Sequence, residues 1–158
     1  MADEILNISV KINAAIRSDR VIRTAISTVL TRHKARIFNE GLDANGAKIG
    51  TYSTVPISIP KRKQARDTGK TKFPGGYAEY KTSIGKNPGY VNLQNFGHMM
   101  ADYGLIQSGM EYGLGFQNQE NYDKSIAVQD HFDKTIFAHS NEEVELLGNV
   151  LIYELNKV

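Results

Sequence analysis

The stretch from residue 18 to residue 53 constrains the fold most, because it combines a long amphipathic helix with a tight turn. One set of its side chains recurs at spacings of three and four residues, so these side chains share one helix face. Charged and polar residues lie largely off that face, which predicts a helix packed on one side only. Ser18 or Asp19 is placed to cap the helix start, and Gly41 to end it in a left-handed conformation. The inner face comprises Ile22, Ala25, Ile26, Val29, His33 and Ile37.

A turn follows this helix at Asp43-Ala44-Asn45-Gly46, since Asn-Gly readily adopts positive φ angles. Asp43 and Asn45 could also open a calcium loop. However, the further oxygen ligands and the glutamate that closes such a loop are missing from the sequence. We therefore interpret the segment as a turn that leads the chain back toward the helix.

The length and composition indicate one globular domain over 1–158, because 158 residues are too few for a second independent core. A hydrophobic fraction of 41% with 23% charged residues is typical of a soluble protein. No apolar run reaches eighteen residues, so no transmembrane helix and no membrane contact are expected. The acidic start of the sequence argues against a secretory signal, and the lack of cysteine excludes disulfides and zinc–thiolate sites. Synthesis in the cytoplasm fits these features.

The net charge of +2 is distributed unevenly along the chain. Residues 61–90 contain eight basic and two acidic residues, a net charge of +6, which leaves −4 for the remainder. Such a segment predicts a contact with a negatively charged surface. The basic residues are Lys61, Arg62, Lys63, Arg66, Lys70, Lys72, Lys81 and Lys86.

The same region predicts an extended basic loop or arm at about 61–76, since Phe73 is almost its only hydrophobic anchor. Pro56 and Pro60 bracket an extended edge segment just before it. The loop is either a solvated segment or an arm that contacts a neighbouring subunit or, non-specifically, DNA phosphates. Between the two partners we favour the subunit. The candidate partner-binding residues are Lys61, Arg62, Lys63, Arg66, Lys70, Lys72, Tyr77 and Tyr80.

The remaining patterns complete an α+β fold with a small, mainly antiparallel sheet packed by the long N-terminal helix and a C-terminal helix. Alternating apolar residues favour a strand over 6–12, with a short helix that continues into the long one as the alternative. Two short strands around Ser108-Gly109 predict a hairpin. A helix is expected over 119–132. Ser140 and Glu143 form a capping-box pattern that starts the last helix. Its predicted inner stripe is Val144, Leu147, Leu151 and Leu155.

The sequence offers no convincing catalytic, metal or cofactor site, and it predicts that the protein is not an enzyme and has no small-molecule substrate. Gly113 and Gly115 lack the context of a phosphate loop. His33 lies on the inner helix face, where a hydrogen-bonded core or interface histidine is more frequent than a ligand. The residues with metal-like chemistry match no common zinc or di-metal spacing. They are Asp130, His131, Asp133 and His139.

The order of several motifs resembles the tail-completion and virion-morphogenesis proteins of tailed phages. A helix ending in Arg36-Ile37-Phe38-Asn39-Glu40-Gly41, then Asp43-Ala44-Asn45-Gly46, Ile49-Gly50 and Tyr52-Ser53, is similar to their opening. Gly115-Phe116, a short helix with Ala127 and Gln129, Ile136-Phe137-Ala138 and the serine-capped helix are similar to their closing pattern. Together the two parts cover about two-thirds of the chain.

This resemblance implies a structural virion protein, located in the neck or tail, that forms a ring at the head–tail junction. The ring would be a homo-oligomer, hexameric in the resemblance, joined through strand edges and the basic arm. Its other partners would be head–tail junction and tail-tube proteins. The alternative is a DNA-binding accessory protein that uses the 61–90 basic segment.

Overall fold

The computed structural model of the chain describes residues 19–60, 69–109 and 111–157. These residues adopt an α+β fold with a long N-terminal and a long C-terminal helix, as predicted. The predicted strand over 6–12 and the basic residues Lys61, Arg62, Lys63 and Arg66 lie outside the described ranges. The helices are α1 (Asp19–Lys34), α2 (Gly76–Ser83), α3 (His98–Asp102), α4 (Gln119–Phe132) and α5 (Asn141–Leu155). The strands are β1 (Ile57–Pro60), β2 (Lys70–Phe73), β3 (Tyr103–Ser108) and β4 (Glu111–Phe116).

Helix α1 has the predicted inner face, and it continues into a π-helical segment, Ala35–Glu40. Gly41 ends this helix with a φ of 66°, in the left-handed region where glycine is preferred. The following turn also forms as predicted. The Asp43 carboxylate accepts hydrogen bonds from the backbone N–H groups of Asn45 and Ala47. These hydrogen bonds, together with the Lys134 ammonium 3.6 Å from Asp43 Oδ2, satisfy the buried carboxylate of Asp43.

The predicted hairpin around Ser108 consists of β3 and β4, paired antiparallel with Tyr103 opposite Phe116. Strands β3 and β4 pack against α1, and α5 packs along α1 from the other end of the chain. Tyr103, Phe38 and Phe137 are almost fully buried between these elements, and Phe116 contacts both Tyr103 and Phe137. The core of this part of the molecule is therefore aromatic as well as aliphatic.

Helix α5 begins with the predicted capping box, in which Ser140 and Glu143 bond each other's backbone N–H groups. The predicted inner stripe is only partly correct. Leu147 is buried, but Val144 is 50% exposed and Leu155 is 37% exposed. Glu143 is buried in their place, because it pairs with Arg36 of the π-helical segment. This pairing rotates the inner face of α5 away from Val144 and Leu155.

The segment 50–91 contains the antiparallel pair β1–β2 and helix α2. The long exposed loop predicted at about 61–76 is therefore wrong in its second part. Lys70–Phe73 is a strand and Gly76 begins a helix, while 61–68 lie outside the described ranges. Lysine and threonine alternate along β2, and the strand pairing gives one face to solvent and the other to α2. The antiparallel sheet of the prediction is thus two separate two-stranded sheets within the described ranges.

The chain divides into two compact units, one formed by Met1–Ile49 with Asn92–Val158 and the other by Gly50–Val91. We call them the larger and the smaller unit. The prediction of one domain over 1–158 did not include this division. In the part of the chain that the structure describes, no helix is both long and apolar enough to cross a membrane.

Candidate functional site

The two candidate binding lysines that the structure describes lie on the same face of β2. Lys70 pairs with Pro60 and Lys72 pairs with Ser58 across the sheet, and all four residues are exposed. Since residues two apart on a strand point to the same side, both ammonium groups are presented together. The described part of the predicted arm is thus a positively charged hairpin face.

The two candidate tyrosines have a different position from the lysines. Tyr80 is only 8% exposed, and its ring packs edge-on against Phe73 with centroids 5.4 Å apart. Tyr77 is half-buried and contacts both Tyr80 and Tyr52. These rings form the packed interior of the smaller unit, and they hold the face of β2 opposite to the lysines.

Lys81 belongs to this interior as well, although the sequence counts it among the basic residues. Its ammonium nitrogen lies 4.9 Å from the centre of the Tyr52 ring and 5.7 Å from that of Tyr77. Burial, followed by the nearby charge of Lys86, lowers the pKa of Lys81 to about 8. Lys81 therefore contributes to packing through cation–π contacts rather than to the positive surface.

The four residues with metal-like chemistry do not form one site. Asp130, His131 and Asp133 are exposed at the end of α4. His139, in contrast, lies near His33 and Glu143. Within the described ranges, these three residues are the one group whose side chains could together bind a metal ion. The potential ligand atoms of this group lie within 4.8 Å of one another.

A buried polar cluster around Glu143 is the most organised arrangement of titratable groups in the larger unit. The Nε of Arg36 donates to Glu143 Oε1 over 2.7 Å, and His33 Nδ1 lies 2.9 Å from Glu143 Oε2. The Tyr103 hydroxyl lies 3.1 Å from His33 Nε2. Because Glu143 can only accept, we assign the His33 proton to Nδ1 and let the Tyr103 hydroxyl donate to Nε2.

The guanidinium of Arg36 also binds three backbone carbonyls that have no helical partner. It donates to Leu42 over 3.0 Å, to Ile136 over 3.1 Å and to Ala138 over 2.8 Å. One side chain therefore ties the end of the first helix to the segment before α5. The cluster has every property of a structural cross-link between three distant parts of the sequence.

Burial and pairing shift the protonation of this cluster in a consistent direction. Burial alone would raise the pKa of Glu143, but the hydrogen bonds from His33 and Arg36 outweigh it and lower the pKa to about 2. Burial lowers the pKa of His33, and burial together with the neighbouring His33 lowers the pKa of His139 to about 4. At neutral pH the cluster therefore holds one carboxylate, one guanidinium and two neutral imidazoles.

This charge balance favours a structural function over metal binding. A cation bound by His33, His139 and Glu143 would share the carboxylate with Arg36, whose Nη2 lies 3.4 Å from Glu143 Oε2. The cation and the guanidinium would then be neighbouring like charges, which repel in a buried site. His139 Nδ1 has no hydrogen-bond partner in the described part of the chain, and it lies 3.7 Å from Glu143 Oε2. We interpret His139 as a packing neighbour of the His33 ring, with centroids 5.0 Å apart.

The sequence contained part of the signal for this cluster. Arg36 follows His33 by three residues on the same helix face, so the pair on the helix could have been found from spacing. Glu143 was recognised only as the capping residue of α5, a function it also performs. Glu143 is far from Arg36 in the sequence, so no local pattern indicates that the two side chains pair.

A second surface of interest lies on α5, where the apolar arc is wider than the buried face. Val144 and Ile152 are 50% and 61% exposed, and Leu155 adds a smaller exposed area. Gly148 lies between them on the same face, with no atom within 4 Å of the position where a Cβ would stand. Tyr153, 62% exposed, lies on the opposite side of the helix. We call Val144, Gly148, Leu151, Ile152 and Leu155 the α5 stripe.

As the pH falls, we expect the free energy of unfolding to decrease at pH values well above those at which most carboxylates become protonated. The two histidines have folded pKa values below the ordinary value of 6.5, so the unfolded chain binds more protons as the pH falls. The folded state therefore has its full stability, as far as His139 is concerned, above pH 6.5. This stability decreases as the pH falls from 6.5 to about 4, because protonation of His139 then favours the unfolded chain. Glu143 extends the loss from pH 4.5 to about 2. The contribution of His139 alone should be about 3 kcal/mol.

Urea unfolding followed by tyrosine fluorescence at several pH values between 7 and 4 measures this effect. The variant His139→Gln should flatten the profile between pH 6.5 and 4, whereas His131→Gln, at an exposed position on α4, should leave it unchanged. A free energy of unfolding that is constant from pH 7 to pH 4.5 would contradict the assignment of neutral buried histidines.

The lysine face of β2 and the α5 stripe are suited to binding other macromolecules, and the buried cluster is suited to holding the larger unit together. Neither the family models, nor the curated proteins, nor the solved structures compared with this chain give a match.

Proposed function

We propose that this protein is a structural virion component of a tailed phage, a tail-completion or neck protein that assembles with copies of itself into a ring at the head–tail junction. The observation that carries the proposal is the α5 stripe. Folding of one chain leaves Val144, Ile152 and Leu155 exposed on one helix face. A contiguous exposed apolar face indicates a macromolecular contact, because it gains stability only when another surface covers it.

The charge distribution supports contact between copies of the chain. The segment 61–90 has a net charge of +6 and the remainder of the chain −4. One part of a molecule is thus electrostatically complementary to another part of its neighbour. A contact between two different surfaces of identical subunits is heterologous, and such contacts generate rings when the rotation closes.

The order of the motifs at both ends of the sequence resembles phage tail-completion and virion-morphogenesis proteins, which supplies the location and the partners of the proposal. The ring, hexameric in that resemblance, would contact other head–tail junction proteins and the tail tube. The buried cluster around Glu143 supports a protein without catalysis, since its titratable groups are engaged with one another.

DNA binding is the second candidate, and Lys70 and Lys72 favour it specifically. Two exposed lysines on one strand face can neutralise neighbouring phosphates without reading the base sequence. Both lysines lie on strand β2 and not on a helix that could enter a DNA groove. A DNA contact would therefore be weak, non-specific and strongly dependent on salt.

The proposal is tested by the solution mass and by phage particles. Light scattering and negative-stain electron microscopy of the purified chain should show closed rings or a concentration-dependent approach to them. Disruption of the encoding gene in its phage should give separate heads and tails without infectious particles. A protein that stays monomeric at high concentration, together with normal particles after gene disruption, would contradict the proposal.

A further inference from the structure

We infer that the contact between neighbouring copies joins the lysine face of the β1–β2 hairpin on one copy to the α5 stripe on the next. This inference rests on the proposed ring assembly, and it specifies which two surfaces make the contact. Both surfaces lie within the described residues. Neither surface is covered by the neighbouring helices and strands of its own unit.

The α5 stripe has the form of a receiving surface. Leu147 and Glu143 face α1, while Val144, Leu151 and Ile152 occupy the adjacent third of the helix circumference. Gly148 lies in the middle of this surface, with open space above it. A partner backbone can therefore approach the helix axis more closely there than at any position with a side chain.

Charge at the border of the stripe selects a basic partner. Glu145 lies beside Ile152 on the helix circumference and is exposed, and Glu142 follows on the same side. Glu142 already binds Arg32 over 3.2 Å, so Glu145 is the carboxylate with more freedom to accept a new partner. An uncharged stripe with an acidic border disfavours a second copy of α5, because two acidic borders would then meet.

The hairpin supplies the complementary features. Lys70 and Lys72 stand side by side on its solvent face, next to the exposed ring of Pro60. Two lysines and the ring of Pro60 on this face thus match an apolar stripe bordered by a carboxylate on α5.

The expected strength follows from the size of the surfaces. A stable protein–protein contact uses about 20–30 residues on each side, and the two surfaces described here are much smaller. The pairwise contact should therefore be weak and sensitive to salt, and the closed ring should gain stability from having two contacts for each copy. Such a protein assembles only at a site where copies are concentrated.

The experiment uses two blocked variants of the full chain and measures self-association by sedimentation velocity at low ionic strength. The stripe variant is Val144→Glu with Ile152→Glu, and the hairpin variant is Lys70→Glu with Lys72→Glu. All four positions are exposed, so the fold should be retained, and circular dichroism checks this. Each variant alone should associate at least ~10-fold more weakly than the wild type.

The decisive measurement is the equimolar mixture of the two blocked variants. Each variant retains one intact half of the contact, so the mixture should form a one-to-one heterodimer that does not grow further. Matched controls should associate like the wild type. These are Tyr153→Glu, on the opposite side of α5, and Arg20→Glu with Lys124→Glu, which repeats the charge change of the hairpin variant elsewhere.

The outcomes separate this inference from the proposed function. A wild type that remains monomeric at every concentration overturns the inference, and normal particles after gene disruption would then overturn the ring proposal as well. Assembly that persists in the stripe variant, or a mixture that remains monomeric although each variant alone has lost association, overturns the inference and leaves the ring proposal standing. If the hairpin variant associates normally but loses retardation of a short DNA duplex, the lysine face binds nucleic acid and the inference is also overturned.

Discussion

Replacing Glu143 with glutamine is expected to lower the free energy of unfolding by about 3–5 kcal/mol, the typical effect of breaking a buried ion pair by removing one charge. The substitution keeps the shape of the side chain, so no cavity forms. It leaves the Arg36 guanidinium, 2% exposed, without a counter-charge in the interior. It also replaces one of the two acceptor oxygens that bind Arg36 and His33 by an amide nitrogen.

Equilibrium urea unfolding at pH 7 measures this loss. The matched control is Glu142→Gln, since Glu142 pairs with Arg32 across the same two helices but is exposed. That exposed pair should contribute about 0–1 kcal/mol. Equal effects of the two substitutions would mean that water reaches the Glu143 pair and that the cluster is not the cross-link inferred here.

The double variant Arg36→Met with Glu143→Leu separates charge pairing from packing. Replacing both partners by apolar groups of similar volume leaves no uncompensated charge in the interior, unlike the single replacement Glu143→Gln. The loss that remains reflects the hydrogen bonds of the pair, among them those from Arg36 to three backbone carbonyls. Each unsatisfied buried acceptor costs about 1–3 kcal/mol, so the double variant should still be less stable than the wild type.

The elements that sequence reasoning predicted correctly are those whose signal is local. The inner face of α1, its end at Gly41, the turn at Asp43, the hairpin β3–β4 and the capping box at Ser140 each depend on residues close together in the chain. Periodicity and capping encode such features directly. The same reasoning identified His33 as a bonded interior residue, which the structure confirms.

The features that sequence reasoning missed depend on partners far apart in the chain. The helical spacing of Val144 to Leu147 and Leu151 predicts that Val144 belongs to the inner stripe, but a wide apolar arc allows more than one orientation of the helix. The partner of Glu143 decides between these orientations, and that partner is Arg36, 107 positions away. For β2, a short strand of alternating lysine and threonine has little apolar signal of its own. Pairing with β1 and packing of Phe73 on Tyr80 create the strand.

The candidate binding residues divide in the same way. Lysines on a strand are exposed whatever their partner, so composition alone identified Lys70 and Lys72 as surface residues. Aromatic residues beside a basic run are ambiguous, because they can either bind a ligand or fill a small core. The small unit 50–91 has few apolar residues from which to build a core, and Tyr77 and Tyr80 contribute to that core. Buried lysine Lys81 shows that even a charge count overstates the positive surface.

Substituting alanine for Gly76 is expected to destabilise the smaller unit by about 3 kcal/mol or more, since it combines backbone strain with a steric clash. Gly76 begins α2 with a φ of 72°. A Cβ at this position would stand 2.5 Å from the carbonyl oxygen of Ser53 and 2.6 Å from that of Val55. The backbone at 53–55 cannot retreat without losing the hydrogen bond from the Ala78 N–H to the Ser53 carbonyl.

The matched control is Gly85→Ala in the same unit. Gly85 has a similar φ of 68° but no atom within 4 Å of a built Cβ, so its substitution should cost only the left-handed strain, about 1–2 kcal/mol. Hydrogen exchange of the amides in 50–91 reports both substitutions on the same residues. Protection in Gly76→Ala should fall ~10-fold more than in Gly85→Ala, because the backbone clash adds about 1–2 kcal/mol and about 1.4 kcal/mol corresponds to a factor of ten. Equal loss of protection would show that the 53–55 backbone moves aside, and that the close approach over Gly76 does not define the start of α2.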